Sequence, residues 1–426
     1  MIEMSMSQNI HKTSREFYLN ADFDLTLRGA ASLLDSPDAN FVHEMAWHYF
    51  FAADSNDSVI LHRPLPTDFL SYIQAQGLAL PKLILHPEFS STSLYTPFGW
   101  NPAALDRLNL YQNPPDYPGL DIVKRVNSRA FSRNLEKVWD REEEVSDSQA
   151  ELGGQFTAYP ELDKFLCETS RTQGWMVKGD HGHAGTANCR VLDGNPDPEI
   201  QKYLLQILSE HHRVIVEPFH DRILDMSANF MVEKDGSVAE FRGHELFNSR
   251  DGAFLGVKIN PDRQPPAPWG EALKLAAKRL GQALRIEGYF GPVSMDAYVY
   301  QDKGEPKLRP LVDLNARHSM ALPIHGLARR LPGKFLLWTW TKPKKLTLPI
   351  SYTELQDRFG SWAFDPLTQS GILAVSPVWR ESEKAGTKIK AVDRAKAKRL
   401  GFLFCADGEE ALALMRQAFA TAMGRR

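Results

Sequence analysis

The sequence has few of the features that mark exported or membrane-bound proteins. It contains only three cysteines, Cys167, Cys189 and Cys405, and no CxxC pair, which argues against a disulfide framework and a cysteine-based zinc site. The N-terminal segment is polar and no run of about 18 apolar residues occurs, so neither a signal peptide nor a membrane span is expected. The sequence therefore predicts a cytoplasmic protein in a reducing compartment.

An excess of charge of one sign is also missing. The chain has 50 basic and 53 acidic residues and a formal net charge of −3, so no overall field favours nucleic acid or an anionic membrane. The basic segment 384–399 is a local exception, which we interpret as a solvated loop or helix face. Small molecules are the expected partners, and the sequence leaves open whether the protein is a homodimer.

The chain is long enough for more than one domain. Its 426 residues, 43% of them hydrophobic, can form two or three cores. Before residue 120, runs of Val, Ile and Leu separated by a helical period predict βαβ units, hence an α/β fold with a parallel sheet. The proline-rich segment 111–121 predicts a domain boundary, and short strands and hairpins are predicted over 170–320. Amphipathic patterns predict a helix over 270–286 and a C-terminal helix with Asp407 as its N-cap.

The most informative stretch is a predicted hairpin between VSMDAYVY and LVDLNARHSM. Alternation places Asp296 on one strand face and Asp313 with Asn315 on a face of the next strand. A turn centred between Gly304 and Glu305 would make the two aspartates cross-strand neighbours. Two carboxylates in that arrangement repel each other unless one is protonated or a divalent cation lies between them.

The oxygen ligands of this cluster suit Mg²⁺, with Mn²⁺ as an alternative. Mg²⁺ is usually held by one or two carboxylates together with substrate phosphates. Arg317 follows Asn315 on the same strand face, where its guanidinium could bind a phosphate oxygen. An equally open interpretation is that Asp313 to Arg317 form only a polar strand exit.

A second cluster lies in WMVKGDHGHAGTANCRV, where a short apolar strand leads from Lys178 into a glycine-rich loop. Gly179, Gly182 and Gly185 would let the backbone approach a polyphosphate, with Lys178 as a fixed charge. The loop matches neither the P-loop nor the dinucleotide fingerprint. The simpler interpretation is a tight turn.

A third element is the strongly apolar strand that ends in Glu217, Pro218 and Phe219. Glu217 could accept a hydrogen bond from a ribose hydroxyl or an exocyclic amine, and Phe219 offers an apolar surface for a base. The alternative is an edge strand ended by proline, with a solvated glutamate.

Taken in order, these three elements resemble the ATP-grasp superfamily, which includes D-alanine–D-alanine ligase and biotin carboxylase. The resemblance implies an ATP-grasp fold over 121–330, with two subdomains and a hinge near 217–219. It also implies a Rossmann-like domain over 1–120 and a C-terminal extension over 331–426. The residues that the resemblance assigns are the metal-binding Asp296, Asp313 and Asn315, the phosphate-binding Lys178, Gly182 and Gly185, the nucleoside-binding Glu217, Pro218, Phe219 and Asp225, and Arg317 beside the transferred phosphoryl group.

The sequence departs from the family pattern at two positions. Arg129 stands where the family usually has an earlier nucleotide-binding lysine, which keeps the charge but changes its geometry. Asp313 stands where glutamate is commoner, which shortens the reach to the metal by one methylene.

The resemblance implies an ATP- and Mg²⁺-dependent ligase that joins a carboxylate to an amine through an acyl phosphate. The alternatives are a nucleotide-binding regulatory protein that lost ligation and an ATP-dependent kinase or phosphoribosyl-type transferase. The loop histidines His181 and His183 are interpreted as solvent-facing. Polar residues after the hinge are candidates to face the second substrate: Arg242, His244, Glu245, Asn248 and Arg250.

Overall fold

The structure is a computed structural model of the chain. It describes residues 13–29, 45–90, 92–143, 152–169, 171–182, 187–192, 196–248, 254–341, 350–377 and 400–423. The predicted basic segment 384–399 lies outside these ranges.

The N-terminal part folds around a small parallel sheet. Its elements are β1 (Arg15–Tyr18), α1 (Phe23–Leu27), a 3₁₀ turn (Ala46–Phe51), β2 (Ser58–Leu61), α2 (Thr67–Ala75), β3 (Lys82–Leu85), β4 (Leu94–Pro97) and α3 (Pro102–Leu108). The four strands pair in the order β3-β2-β1-β4, all parallel. Strand β2 is buried along its whole length, as parallel strands covered on both faces are. The predicted parallel sheet is therefore confirmed.

A second sheet has four strands and its own apolar core. The elements of this region are α4 (Leu120–Val126), α5 (Arg129–Glu142), β5 (Gly154–Phe156), α6 (Tyr159–Glu168), β6 (Trp175–Gly179), β7 (Asn188–Val191), α7 (Pro198–His211) and β8 (Val214–Pro218). The strand order is β5-β8-β6-β7, with antiparallel pairing. Apolar residues of α6 and α7 pack on the inner face of β6 and β8, separately from the main core.

The third sheet has eight antiparallel strands in the order β13-β12-β9-β10-β11-β14-β16-β15. Its strands and the helices of this region are β9 (Arg222–Val232), β10 (Val238–Asn248), β11 (Phe254–Ile259), α8 (Trp269–Ile286), β12 (Gly291–Asp302), β13 (Glu305–Asn315), α9 (Leu322–Arg330), β14 (Phe335–Thr341), α10 (Tyr352–Phe359), β15 (Gly371–Ala374), β16 (Leu400–Ala406) and α11 (Glu409–Ala422). Strands after residue 330 therefore continue the sheet that begins at β9.

The β12–β13 hairpin has a different turn from the predicted one. Its two turn residues are Lys303 and Gly304, both at positive φ, which is the geometry of a type I′ turn. This turn lies one residue earlier than predicted. A bulge between Asp296 and Tyr298 then shifts the register, so that Asp296 still pairs with Asp313. The predicted cross-strand pair is confirmed.

Helix α8 buries the face that its sequence pattern predicts. Leu273, Ala276, Leu280 and Leu284 are buried, and the helix packs on β9, β10 and β13. It thereby supports the back of the strands that carry the predicted metal ligands.

The predicted cap of the C-terminal helix is wrong. Gly408 occupies the N-cap of α11 and makes no side-chain capping bond. The Asp407 carboxylate instead accepts a hydrogen bond from Lys334 at 2.5 Å, which removes it from the helix end. No helix in the described ranges is long and apolar enough to cross a membrane.

Candidate active site

One cavity collects most of the residues that the sequence predicts for the site. It has a volume of about 340 Å³ and lies between the β9–β13 region of the large sheet and β6, β8 and the start of α5. Gly182 is not part of its lining, and Gly185 lies outside the described residues. The other ten predicted residues line the cavity: Arg129, Lys178, Glu217, Pro218, Phe219, Asp225, Asp296, Asp313, Asn315 and Arg317.

The hairpin places the predicted metal ligands side by side, in a group that we call the acidic end (Asp296, Asp313 and Asn315). Asp296 pairs with Asp313, and two residues away Ser294 pairs with Asn315. Burial, and then the neighbouring Asp313, raise the pKa of Asp296 to about 7. Asp296 has no ion-pair partner in the described part of the chain.

Arg129 connects the acidic end to the start of the glycine-rich loop. It is the first residue of α5, and its Nη1 donates to the Gly179 carbonyl at 2.7 Å. Its Nε and Nη2 donate to one Asp313 oxygen at 3.3 and 3.1 Å. The same helix end is held by Asp180, whose Oδ1 accepts from the Ser128 hydroxyl at 2.6 Å. Arg129 is therefore fixed beside the cavity by a helix cap and a carbonyl.

Next to the cavity lies a buried charge network, which we call the paired end (Arg133, Glu136, Lys178, Glu217 and Arg309); Lys178 and Glu217 line the cavity. Arg309 donates to Glu136 at 2.5 and 2.8 Å and to Glu217 at 2.9 Å. Lys178 contacts the other Glu217 oxygen, and Arg133 donates to Glu136 at 2.6 Å. Although burial alone would raise it, Arg309 and Lys178 hold the pKa of Glu217 well below its usual range.

Arg317 is tied to the N-terminal part of the chain. Its Nε and Nη2 donate to the two carboxylate oxygens of Asp24, in α1, at 3.0 and 3.2 Å. Nη2 also donates to the Asn315 amide oxygen at 2.8 Å, and the guanidinium lies 4.7 Å from the centre of the Phe98 ring. Asp24 lines the cavity and was not predicted from the sequence. Arg317 thus has a fixed orientation at the acidic end.

The segment 217–219, which the sequence predicts as a hinge, is more enclosed than the sequence suggests. The Phe219 ring, predicted as a surface for a base, is covered by the Arg190 guanidinium at 3.6 Å, and its backbone N–H donates to the Gly174 carbonyl at 3.1 Å. The next residue, His220, stacks on Tyr300 with ring centres 4.1 Å apart. Any base placed here would therefore meet a layer of guanidinium and aromatic rings.

One histidine of the glycine-rich loop differs from expectation. His181 is predicted to face solvent, but its side chain is only 11% exposed and its Nε2 lies 3.1 Å from the Lys124 carbonyl. His183 lies outside the described residues. Asp225, predicted to lie near the nucleoside, lines the cavity, where it pairs with Arg222 at 2.9 Å.

The residues proposed for the second substrate separate into two groups. His244 and Asn248 line the cavity. Arg242 contacts Glu240, and Glu245 accepts from Lys258 at 2.9 Å, so these two have partners outside the cavity. Arg250 lies outside the described residues.

The acidic end fits a hard divalent cation. Asp296, Asp313 and Asn315 line the cavity and supply oxygen ligands, and Asp296 makes no ion pair with a described residue. In the described part of the chain, no three His, Cys, Asp or Glu side chains could together hold a metal ion. A cation held here would therefore share its coordination shell with oxygens of a substrate, as Mg²⁺ does with phosphates.

Comparison with known proteins adds evidence on the fold. No protein-family model matches the chain, and no curated protein matches it. The structure is similar to N5-carboxyaminoimidazole synthetase from Staphylococcus aureus complexed with ADP, with a TM-score of 0.51 and 10% identity over 96% of this chain and 97% of that chain.

A second solved structure gives the same result. It is an ADP complex of N5-carboxyaminoimidazole ribonucleotide synthetase, with a TM-score of 0.51 and 10% identity over 95% of this chain and 96% of that chain. Identities this low show the fold alone. The chain has the mixed α/β architecture of the ATP-grasp fold, so the resemblance inferred from the sequence is confirmed at the level of the fold.

Proposed function

We propose that the protein is an ATP- and Mg²⁺-dependent ligase that joins a carboxylate to an amine and forms ADP. The observation that carries the proposal is the arrangement around one cavity: Asp296 pairs with Asp313, Arg129 binds Asp313, and Lys178 lies on the facing sheet. The two carboxylates and the amide of the acidic end, together with Arg129, Lys178 and Arg317 around the same cavity, suit a metal–polyphosphate substrate. The two similar solved structures, both ADP complexes of synthetases, agree with this function.

Each part of the cavity has a role in binding the nucleotide. Glu217, Pro218, Phe219 and Asp225 would surround the nucleoside, and Lys178 with Arg129 would bind the phosphates. The acidic end would hold Mg²⁺, which neutralises charge on the phosphate oxygens when bound. Because Lys178 is already fixed by Glu217, its charge is available at a defined position.

The proposed reaction needs no protein nucleophile. A carboxylate oxygen of the first substrate attacks the γ-phosphorus, the bond to the β-phosphate oxygen breaks, and ADP leaves with the bond electrons. The amine nitrogen of the second substrate then attacks the acyl carbon, phosphate leaves, and the amine releases a proton. Arg317 lies where it can bind oxygens of the transferred phosphoryl group, and its contact with Asp24 holds it there.

The test is an assay of ADP and phosphate release from Mg²⁺–ATP with a panel of carboxylic acids and amines, alone and in pairs. A ligase releases one phosphate for each ADP only when both co-substrates are present. Reactions that omit either co-substrate, and reactions with chelated metal, are the controls. ADP formation with one co-substrate that keeps the phosphoryl group would identify a kinase instead. Binding of ATP without turnover for any pair would indicate a regulatory nucleotide-binding protein.

A further inference from the structure

A row of side chains crosses the large sheet from the acidic end to His244. Asp313 pairs with Asp296, Asp296 pairs with Ser227, and Ser227 pairs with His244, on the four consecutive strands β13, β12, β9 and β10. Directly paired residues point to the same face of a sheet. Since neighbouring strands lie about 4.8 Å apart, the backbone of His244 is roughly 10 Å from that of Asp296. A small molecule bound at His244 would therefore lie beside a ligand held at the acidic end.

The cavity around His244 is apolar. Leu246, Phe254 and Val257 line this part, and Leu246 pairs with Val257 across β10 and β11. Met320 lines the cavity as well. This part can accommodate an apolar group, and His244 places a polar side chain within it.

His244 is held by a second buried histidine. Its Nδ1 lies 3.2 Å from Nε2 of His325, which is in α9 and fully buried. The remaining nitrogen of His325, Nδ1, is buried and makes no hydrogen bond in the described part of the chain. The Nε2 of His244 makes no hydrogen bond to a described residue either, and His244 lines the cavity.

The unpartnered nitrogen of His325 determines where the protons lie. Burial lowers the pKa of His244 to about 3 and that of His325 well below its usual range, so both rings are neutral and each carries one proton. If His244 donated through Nδ1, His325 would carry its proton on the buried Nδ1, and an N–H without an acceptor is costly. The favourable arrangement has His325 donating from Nε2. His244 then carries its proton on Nε2.

Three arginines lie near His325 rather than in front of His244. Burial comes first, and then His244, Arg242, Arg263 and Arg329, among the effects that lower the pKa of His325. Arg242 contacts Glu240, Arg329 contacts Asp54, and Arg263 donates to the Ala328 carbonyl. The Nε2–H of His244 offers a neutral donor to the cavity, and a carboxylate oxygen, as a charged acceptor, makes a stronger hydrogen bond with it than a neutral oxygen does.

We propose that the Nε2–H of His244 binds a carboxylate oxygen of the second, amine-bearing substrate, whose apolar group lies on Leu246, Phe254 and Val257. This inference rests on the proposed ligase function and specifies its acceptor: a small amine that carries a carboxylate and an apolar group, as an apolar amino acid does. His325 acts as a positioning residue, because it fixes the tautomer of His244.

The binding test uses the full chain with Mg²⁺–ADP and a panel of leucine, methionine, phenylalanine and their decarboxylated amines, measured by calorimetry. At least one amino acid should bind, and its amine should bind about tenfold more weakly or worse. His244→Phe should weaken binding of that amino acid by a similar factor. His244→Gln should weaken binding less than His244→Phe does, because the glutamine amide can donate a hydrogen bond from nearly the same place. His48→Gln, a change at a buried histidine outside the cavity, is the matched control and should bind as the unaltered protein does.

A second measurement tests the tautomer without any substrate. Nitrogen-15 spectra of the histidine rings should show His244 protonated on Nε2, with the signal assigned by its loss in His244→Gln. His325→Leu should give a mixture of both tautomers at His244. Protonation of His244 on Nδ1, absence of binding by the whole panel, or equal binding by His244→Phe would each overturn the proposal. Failure of the ligase function would give a different result: the amino acid would bind and His244→Phe would weaken its binding, but no ADP would form.

Discussion

The paired end and the acidic end of the cavity differ in how far their carboxylates are neutralised by cations. At the paired end each carboxylate contacts two cations: Glu136 binds Arg133 and Arg309, and Glu217 binds Lys178 and Arg309. Although burial opposes it, this arrangement holds the pKa values of both glutamates below their usual range. The paired end is therefore electrostatically complete before any ligand binds.

The acidic end is not complete. Asp296 faces Asp313, and among the described residues only Arg129 makes an ion pair with either of them. The raised pKa of Asp296, about 7, follows first from burial and then from that neighbour. A surplus of negative charge next to fixed cations suits a ligand that brings its own metal ion. The comparison suggests that the paired end fixes the shape of the site. The charge of the acidic end is neutralised only when the metal–nucleotide complex binds.

The largest expected effect comes from removing one acid of the acidic end. Asp313→Asn should lower ADP formation by about 10³-fold, because the metal and the charge that orients Arg129 are lost together. Folding should change little, since the loss of the ion pair with Arg129 is offset by removal of the like-charge contact with Asp296. The assay is ADP release as a function of Mg²⁺ concentration.

The matched control for this variant is Asp302→Asn. Asp302 lies on the same hairpin, at its turn, and contacts Lys307 on the surface. It should keep full activity. Equal activities of the two variants would contradict the assignment of Asp313 as a metal ligand.

At the paired end, the expected effect is on stability. Arg309→Met leaves the Glu136 and Glu217 carboxylates buried with fewer cations and should lower the free energy of unfolding by about 3 kcal/mol. Urea unfolding measures the change. Arg279→Met removes a partly exposed arginine that contacts two exposed glutamates at the end of α5, and should cost about 1 kcal/mol or less. If Arg309→Met and Arg279→Met lowered the free energy of unfolding equally, the paired end would not be the part of the site that stabilises the fold.

The acidic end could be predicted from the sequence because its parts are close along the chain. Asp296 and Asp313 lie on strands joined by a tight turn, and a period of two fixes which side chains share a face. The turn itself was misplaced by one residue. A bulge, which the sequence pattern does not show, restored the predicted pair.

At the paired end, Lys178 and Glu217 are predicted from the sequence, but their buried partners could not be predicted in the same way. Arg309 on β13 and Glu136 on α5 are 173 positions apart, and a charged residue on a strand or a helix is usually exposed. The contact of Arg317 with Asp24 spans 293 positions, and that of His244 with His325 spans 81. Such contacts depend on the packing of whole elements against each other, which local periodicity does not contain.

A smaller effect should distinguish the two ends by pH. In the ligand-free protein, the raised pKa of Asp296 means that the folded state binds its proton more tightly than the unfolded chain does. Below about pH 4 the Asp296 carboxyl therefore does not lower the free energy of unfolding. Between about pH 4 and about pH 7 it lowers this free energy progressively, and above about pH 7 the effect stays constant. Asp296→Asn should stabilise the chelated, ligand-free protein by on the order of 1–2 kcal/mol at about pH 8, because the carboxylate is partly open to the cavity.

The measurement is the difference in unfolding free energy between Asp296→Asn and the unaltered protein at about pH 5.5 and about pH 8. The difference should increase with pH. With Mg²⁺–ADP added, the order should reverse, since only the unaltered protein keeps both metal-binding acids. A pH-independent difference would show that the charge of the Asp296 carboxylate is already balanced by nearby cations, as the charges of the glutamates at the paired end are.

The smallest expected effect concerns the residue that orients Arg317. Asp24→Asn keeps the shape of the side chain but weakens its two charge-assisted bonds to the guanidinium. We expect kcat to fall by about tenfold, because Arg317 would be positioned less well for the transferred phosphoryl group. The affinity for ADP should change little, since the proposed role of Arg317 is to bind the transferred phosphoryl group, which ADP lacks.

Asp54→Asn is the matched control, because Asp54 also joins the N-terminal part to a later arginine, Arg329, at 2.9 Å. It lies outside the lining of the cavity and should leave kcat unchanged. If both variants lowered kcat equally, the contact of Asp24 with Arg317 would serve to join the two parts of the chain. If only Asp24→Asn lowers kcat, the N-terminal part completes the acidic end, because Asp24 fixes the guanidinium of Arg317 in place.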